Sequence, residues 1–453
     1  MSVVGINFGS ATSGDGFDVT STVNSIMTNM RTPETAWATR TTTLQSQDTV
    51  LSTLGTDLSS LSSALATLTS FDGAFAQKEG ATSDSSVVSL TDATPLSAAG
   101  THTLIVSQLA TTSQQHSSAV ATGATLSGSL SIQVGSGAAT TITIDSTNNT
   151  MSTLAKSIND LDVGVTATVI TDSSGSYLSL TSNTSGAIGN MTLDTSGLTD
   201  SNGNGISMKA TATGADAAYT LDGISLTSSS NTVASALSGI TFQLVGTSST
   251  NVTMEIVNDT GSIATSLNTF ITAYNTLTSA LSGQETKDSS GNAEPLFGDQ
   301  ILSLIQSQLS TALAYSTGNS GKTSNLAQLG ISVGTNGQLS LDTSALNSAL
   351  STNFTGISNF FMNVGDFGQN LTAVLSGLGN SGNGALALRA AQNTSEESSL
   401  ADNKTKLEAR LATYQTLLTA ELNAANEILQ AIPQQLNEIK QIYAAITGYG
   451  QSS

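Results

Sequence analysis

Apolar residues recur every seven positions at both ends of this chain. Near the start, Val23, Met30, Trp37, Leu44, Leu51, Leu58 and Leu65 form one row. Ile26, Leu54, Leu61 and Leu68 form a second row, interrupted by Pro33, Arg40 and Gln47. Near the end, Leu411, Leu418, Ala425, Ile432, Ile439 and Ile446 form a row beside Leu422, Leu429, Leu436 and Tyr443. A sustained spacing of three and four predicts helices whose apolar seam needs a second helix. Proline in a helix interior costs about 3 kcal/mol, so the first helix is expected to break or restart between Met30 and Pro33.

From about residue 83 the period falls to two. Strands are predicted at 86–90, 100–106, 130–134, 141–144, 163–170 and 177–181, with one helix at 151–161. More follow at 218–221, 240–245 and 252–257. Helical spacing returns at Ile263, Leu267, Phe270, Tyr274, Leu277 and Leu281, and more briefly at Leu302, Ile305 and Leu309. Residues 329–333 and 338–341 flank Gly334-Thr335-Asn336-Gly337, whose Asn-Gly pair predicts a hairpin. Asp342 is placed to cap a helix over 345–350, and 376–384 has the composition of a linker. Residues 1–18, rich in Gly, Ser and Asp, are expected to form a mobile tail.

The pattern predicts an α+β multidomain protein. Terminal α-helical coiled-coil segments occupy 1–43 and 385–453, and a helical bundle domain with a small hairpin occupies 44–72 and 260–384. Two nested β-rich domains lie between them: 73–124 with 209–259, and 125–208 inserted within. Leu51, Leu54, Leu58, Leu61 and Leu65 are expected to pack on the helix over 263–281. The seams of 1–43 and 400–453 have no intramolecular partner in the sequence pattern, so these tails are expected to be poorly ordered and protease-sensitive in a free monomer.

Composition then excludes several roles. The net charge is −20, from 12 basic and 32 acidic residues, and between Lys78 and Arg389 the basic residues are Lys156, Lys209, Lys287 and Lys322. No cluster exists to replace phosphate counterions, so neither nucleic acid nor an anionic membrane is an expected partner. There is no cysteine, which removes disulfides and thiol chemistry. Aromatics make up 4% of the chain, so each core must be thin and aliphatic. The opening Met1-Ser2-Val3-Val4-Gly5-Ile6-Asn7-Phe8 has no basic residue and no long apolar run, unlike a secretory signal peptide.

Three stretches imitate catalytic or binding motifs. Ser316-Thr317-Gly318-Asn319-Ser320-Gly321-Lys322-Thr323 carries serine where a phosphate-cradling loop needs glycine, and it follows a helix instead of a strand. Asp200-Ser201-Asn202-Gly203-Asn204-Gly205 matches half of a calcium loop, but Thr211 stands where the bidentate glutamate belongs. His102 and His116, the two histidines, have no acidic cluster nearby in sequence. No catalytic residue, cofactor or metal site is expected.

Short motifs in order along the chain resemble the flagellar hook-associated protein 2 family, the filament cap proteins. They are Gly16-Phe17-Asp18-Val19-Thr20-Ser21-Thr22-Val23 with Ile26-Met27 and Arg31-Thr32-Pro33, and residues 98–110 with Gly100-Thr101-His102-Thr103-Leu104. Leu154-Ala155-Lys156-Ser157-Ile158-Asn159-Asp160 resembles an Ile-Asn motif shared with flagellins. Asn231-Thr232-Val233, Ile271-Thr272-Ala273-Tyr274-Asn275 and Gly337-Gln338-Leu339-Ser340-Leu341-Asp342 follow. Pro433 and the Ser/Thr-rich middle depart from the family's pattern.

The resemblance implies a non-enzymatic cap at the distal end of the flagellum, outside the cell, exported without a cleaved signal. It implies homo-oligomerisation into a ring, with flagellin, hook–filament junction proteins and an export chaperone as partners. The helical legs would contact the filament end or other copies through Val23, Ile26, Met30, Leu418, Leu422, Leu429 and Leu436. The alternative is a surface-exposed adhesin with a β-rich binding head on a helical stalk.

Overall fold

The computed structural model describes residues 14–316 and 325–447. The chain separates into a helical unit, Met1–Thr69 with Ser266–Ser453, and a β unit, Ser70–Thr265.

The first helix, α1, spans Val19–Met30 and opens at Asp18, whose carboxylate accepts from the Ser21 N–H at 3.0 Å. Arg31 separates it from α2, Thr32–Thr69. Pro33 therefore lies in the first turn of α2, where a backbone N–H has no intrahelical acceptor to lose. The break expected from proline occurs as a restart. Along α2, Leu44, Leu51, Leu54, Leu58, Leu61, Leu65 and Leu68 are buried.

The β unit contains β1 (Lys78–Thr82), β2 (Val88–Ala93), β3 (Gly100–Gln108), β4 (Thr112–Ser117), β5 (Leu126–Val134) and β6 (Thr140–Ile144). Helix α3 (Met151–Asp160) is followed by β7 (Val165–Asp172), β8 (Gly175–Ser185), β9 (Met191–Asp194), β10 (Thr199–Asp200) and β11 (Met208–Ala212). Then come β12 (Ala217–Leu221), β13 (Ile224–Ser228), β14 (Thr232–Leu237), β15 (Ile240–Leu244) and β16 (Val252–Asn258). A five-stranded sheet, β1-β16-β3-β12-β13, and a three-stranded sheet, β14-β15-β2, belong to one core that includes Leu104, Val106, Tyr219, Phe242 and Met254. The second core joins α3 to sheets β11-β4-β8-β7 and β10-β5-β6, with β9 on β5, around Leu130, Leu154, Ile158 and Leu180.

Strands β4 and β11 pair with each other, and β4 pairs with β8. Borders at 124/125 and 208/209 would leave both strands with the first core and cut this sheet. We draw the borders instead at Thr111 and Ala215, whose backbones bridge with a 2.9 Å hydrogen bond.

The helical unit is completed by the second part of α4 (Thr260–Gln284), α5 (Gln300–Leu313), the hairpin β17 (Ile331–Val333) and β18 (Leu339–Leu341), α6 (Thr343–Met362), α7 (Phe367–Gly379) and α8 (Ala385–Thr447). Asp342 caps α6 as expected, but α6 runs well past 350, restarting at Asn353, whose φ of −147° is non-helical. The segment 376–384, read as a linker, is helical up to Gly379. Helix α2 lies against α7 and α8, and its Val50, Thr53 and Leu54 line a shared pocket with Ala280, Gly283 and Gln284 of α4.

Four asparagine amides act as portable peptide groups. Asn159 accepts from Ala167 N at 2.7 Å and donates to Ala167 O at 2.9 Å. Asn231 does the same to Ala110, Asn190 to Gly214 and Asn275 to Leu339. Each clasp satisfies one donor and one acceptor of a strand or loop that the ladder leaves unpaired.

Two outcomes follow. Replacing residues 112–214 by a short glycine linker should leave the core around Phe242 folded, because the chain ends at the neck already touch. Loss of cooperative thermal unfolding in the deletion variant would refute this nesting. Asn231→Ala should cost about 1–3 kcal/mol in denaturant titration, since both Ala110 backbone groups lose a partner.

Candidate functional site: the paired terminal helices

The N-terminal helix α1 and the long C-terminal helix α8 meet inside the helical unit. On α1, Val19, Val23 and Met27 are buried against Leu407 and Leu411 of α8, with Phe17, Trp37, Leu418 and Leu422 packed around them. The first-turn approach is held by Phe17, whose N–H donates to Asn426 Oδ1 at 2.8 Å. Gly16 allows this close approach: its φ is +66°, and a Cβ there would fall 2.2 Å from Asn426 Oδ1.

This arrangement corrects the expectation that the terminal seams lack an intramolecular partner. Each is the other's partner. The buried row on α1 is also shifted. It runs Val19–Val23–Met27, four apart, instead of Val23–Ile26–Met30. The cause is the restart at Arg31, which releases the short α1 from the seven-residue register of α2. Of the seven seam residues, Val23 is buried, and Ile26, Leu418, Leu422 and Leu429 are half-buried. Met30 and Leu436 are exposed, at 40% and 38%.

Polar groups set the register between α2 and α8. Arg389 Nε donates to Asp299 Oδ2 at 2.9 Å, and a second guanidinium nitrogen reaches Asn393 Oδ1. Asn393, fully buried, donates to Asp48 Oδ1 at 2.7 Å. Toward the outer end, Arg40 grips Glu396 through two hydrogen bonds of 2.7 and 2.9 Å. That pair is exposed, so it adds orientation more than stability.

Beyond Asn426 the apolar stripe of α8 loses its cover: Leu429 and Ile432 are half-buried, and from Leu436 outward the stripe is exposed among the described residues. Ile439 is 62% exposed, Tyr443 63% and Ile446 78%. Pro433 lies within this stretch of helix. No helix among the described residues is long and apolar enough to cross a membrane.

The sequence decoys resolve into structural roles. Asp200 is buried at the head of its turn and accepts from Asn202 N, Asn204 N and Asn204 Nδ2. Those donors, the Asn204 amide first, hold its carboxyl below the usual value. His102 does have an acidic neighbour, but only across space: its Nδ1 lies 2.7 Å from Asp222 Oδ2. The other Asp222 oxygen accepts from Thr103 N, so the pair ties the β12–β13 turn to β3. His116 Nδ1 is 2.9 Å from Ser117 O, with the ring edge-on to Tyr177. Among the described residues, no three His, Asp or Glu side chains are grouped to hold a metal. Residues 317–323 of the phosphate-loop candidate lie outside the described residues.

Comparison with known proteins places these features. A family model described as Flagellar hook-associated protein 2 N-terminus matches residues 15–113, and one described as Flagellar hook-associated protein 2 C-terminus matches 214–434. The interval between them is the inserted β core. The B-type flagellar hook-associated protein 2 of Pseudomonas aeruginosa is 28% identical over 305 residues, covering 61% of this chain and 64% of the relative. The chain thus aligns with less than two thirds of that protein's length. The flagellar hook-associated protein 2 of Escherichia coli O157:H7 is 28% identical over 336 residues, or 66% of this chain and 70% of the relative. The crystal structure of the D1-D2-D3 domains of the flagellar cap protein FliD from Escherichia coli superposes with a TM-score of 0.57. It is 26% identical, and the match covers 76% of this chain and 99% of that structure. The adhesin alternative finds no support in these relatives.

Val23→Asp would bury a charge among Val19, Met27 and Leu411 and should detach α1. Tryptic cleavage after Arg31 should accelerate while the β unit keeps its unfolding temperature. Unchanged cleavage would show that α1 is not held by this seam. The β-unit turns predict an acid limb. Asp84, Asp145 and Asp194, like Asp200, are held low by donors within their own turns, from Ser86, Thr147 and Ser196 in order. A depressed carboxyl contributes fully above its unfolded pKa of about 3.9, and the contribution is lost as pH falls through the folded value. Circular dichroism melts should therefore show the β unit losing stability below about pH 4 and holding it above.

Proposed function

The chain belongs to the flagellar hook-associated protein 2 family, and on that premise we propose that it caps the distal end of a flagellar filament and promotes insertion of arriving flagellin. The observation that carries this reading is the pairing of α1 with α8 into one leg whose outer apolar stripe, at Leu436, Ile439, Tyr443 and Ile446, is exposed among the described residues. Such a leg can bind and release an apolar groove at a filament end without any chemistry. The half-buried Leu418, Leu422 and Leu429 and the exposed Leu436 would make the contact on α8, with Ile26 and Met30 at its edge. Val23, buried, would position α1 rather than touch the filament.

In this role several copies form a closed ring whose coiled-coil legs contact the filament. Its partners are flagellin, the proteins of the hook–filament junction and an export chaperone. Burying each large aliphatic side chain is worth roughly 1.5–3 kcal/mol, so a few leg residues from each copy suffice to hold the ring while permitting stepwise release.

Leu436→Asp with Ile439→Asp places two charges on the stripe and leaves the buried seam intact. Cells carrying this pair should release unpolymerised flagellin into the medium and build no long filaments, while the purified protein keeps its native circular dichroism. Filaments of normal length would sink the assignment.

A further inference from the structure

Glycine follows asparagine at four places in the chain: Asn202-Gly203, Asn204-Gly205, Asn336-Gly337 and Asn383-Gly384. In such a pair the glycine nitrogen can attack the preceding side-chain amide carbon, because glycine has no side chain to block the approach. The attack needs that nitrogen free. Gly203 N–H donates to Asp200 O at 3.0 Å, Gly337 N–H to Gly334 O at 2.9 Å and Gly384 N–H to Asn380 O at 2.8 Å. Gly205 N–H has no acceptor among the described residues. The cause is register. Thr199 and Gly205 face each other in an antiparallel bridge. Its hydrogen bonds run through their neighbours, Asp200 N to Asn204 O at 2.9 Å and Ile206 N to Leu198 O at 3.0 Å. Gly205 thus holds a non-hydrogen-bonded position, and its N–H turns away from Thr199.

Asn204 and Gly205 are both exposed. The Asn204 side chain is tethered by one bond, from Nδ2 to Asp200 Oδ2 at 3.1 Å, which must open before the attack. At Asn336, by contrast, Nδ2 donates to Gln338 Oε1 and Oδ1 accepts from Gln338 N, in addition to the bond on Gly337.

We propose that Asn204-Gly205 is a self-modifying site, where loss of ammonia and uptake of water turn the amide into a carboxylate and open the 200–205 turn. Gly205 N gives its proton to hydroxide and bonds to Asn204 Cγ, and the Cγ–Nδ2 bond breaks to release ammonia. Water opens the resulting five-membered imide at either carbonyl. One opening leaves aspartate, and the other leaves isoaspartate, with the main chain rerouted through Cγ. Asp200, which is buried, then loses a donor and gains a like charge beside it. Leu198 and Ile206 flank the turn and belong to the inserted core, so the repulsion loosens that edge of it. This goes beyond the capping role and does not rest on it.

The folded full-length protein is held in mildly alkaline buffer, digested with trypsin and read by mass spectrometry. Asn202 and Asn204 share the peptide 157–209 and are separated by fragment ions. Asn204 should convert at least about tenfold faster than the other three asparagines, and the difference should vanish in urea, where all four are the same dipeptide in an open chain. Gly205→Ala is tolerated by the fold, since a Cβ there would meet nothing within 4 Å and φ lies outside the left-handed region. It should slow the conversion by about tenfold with the melting curve unchanged. Asn204→Asp, which stands for one product, should speed hydrogen exchange of the Asp200 and Ile206 amides by about tenfold and leave that of Phe242 unchanged. Equal conversion at the four sites of the folded protein, or a rate unmoved by Gly205→Ala, overturns the site. Unchanged exchange in Asn204→Asp overturns the opening of the turn.

Discussion

The clasp of Asn393 between Arg389 and Asp48 is the constraint on which the helical unit depends. Two long helices with leucine seams can pair in several registers at similar apolar gain. A buried amide whose oxygen and nitrogen both need partners is satisfied in only one of them. With Asp48 opposite Asn393, Arg40 falls opposite Glu396 and the start of α8 docks on Asp299. The outer half of α8 then runs past the point where α2 begins, which leaves its seam for α1. The leg is therefore a consequence of register set some distance away.

The β unit meets a different difficulty with a similar device. Few aromatics and many small polar residues make thin sheets with short ladders. Side-chain amides stand in for missing strand neighbours at Ala110, Ala167 and Gly214. Aspartates close the turns by accepting from residues two and four ahead. This explains in physical terms why Ile158-Asn159, Asn231-Thr232 and Tyr274-Asn275 stood out as motifs. Their asparagines are structural.

The long helices, the central strands and the Asn-Gly hairpin were legible because their apolar periods are unbroken. Helix α7 was obscured by its glycines. In the segment read as a linker, a Cβ on Gly379 would meet Leu58 at 3.4 Å and one on Gly384 would fall 2.5 Å from the Asn380 backbone nitrogen, so part of that glycine content reflects close packing. Strand β4, Thr-Ser-Gln-Gln-His-Ser, carries no apolar residue, and β11, Met-Lys-Ala-Thr-Ala, alternates only Met208 and two small alanines with polar residues; β4 sits between β8 and β11 in the sheet. The leg was legible as two seams but not as one contact. Pairing across hundreds of residues leaves no local mark, and the one-residue restart at Arg31 changes which side of α1 faces inward.

The partners in the leg are far apart in sequence: Arg40 and Glu396 are separated by 356 positions. Contacts of such long range form late, because the loop-closure entropy must be met before they contribute. A chain delivered from its N-terminus therefore brings α1 and α2 out long before α8 exists to receive them. The β unit, whose ends are close and whose contacts are internal, completes itself in the interval. The leg assembles when the last residues arrive, so arrival of the C-terminus acts as a timer: the part of the molecule that closes the helical unit is the part that emerges last.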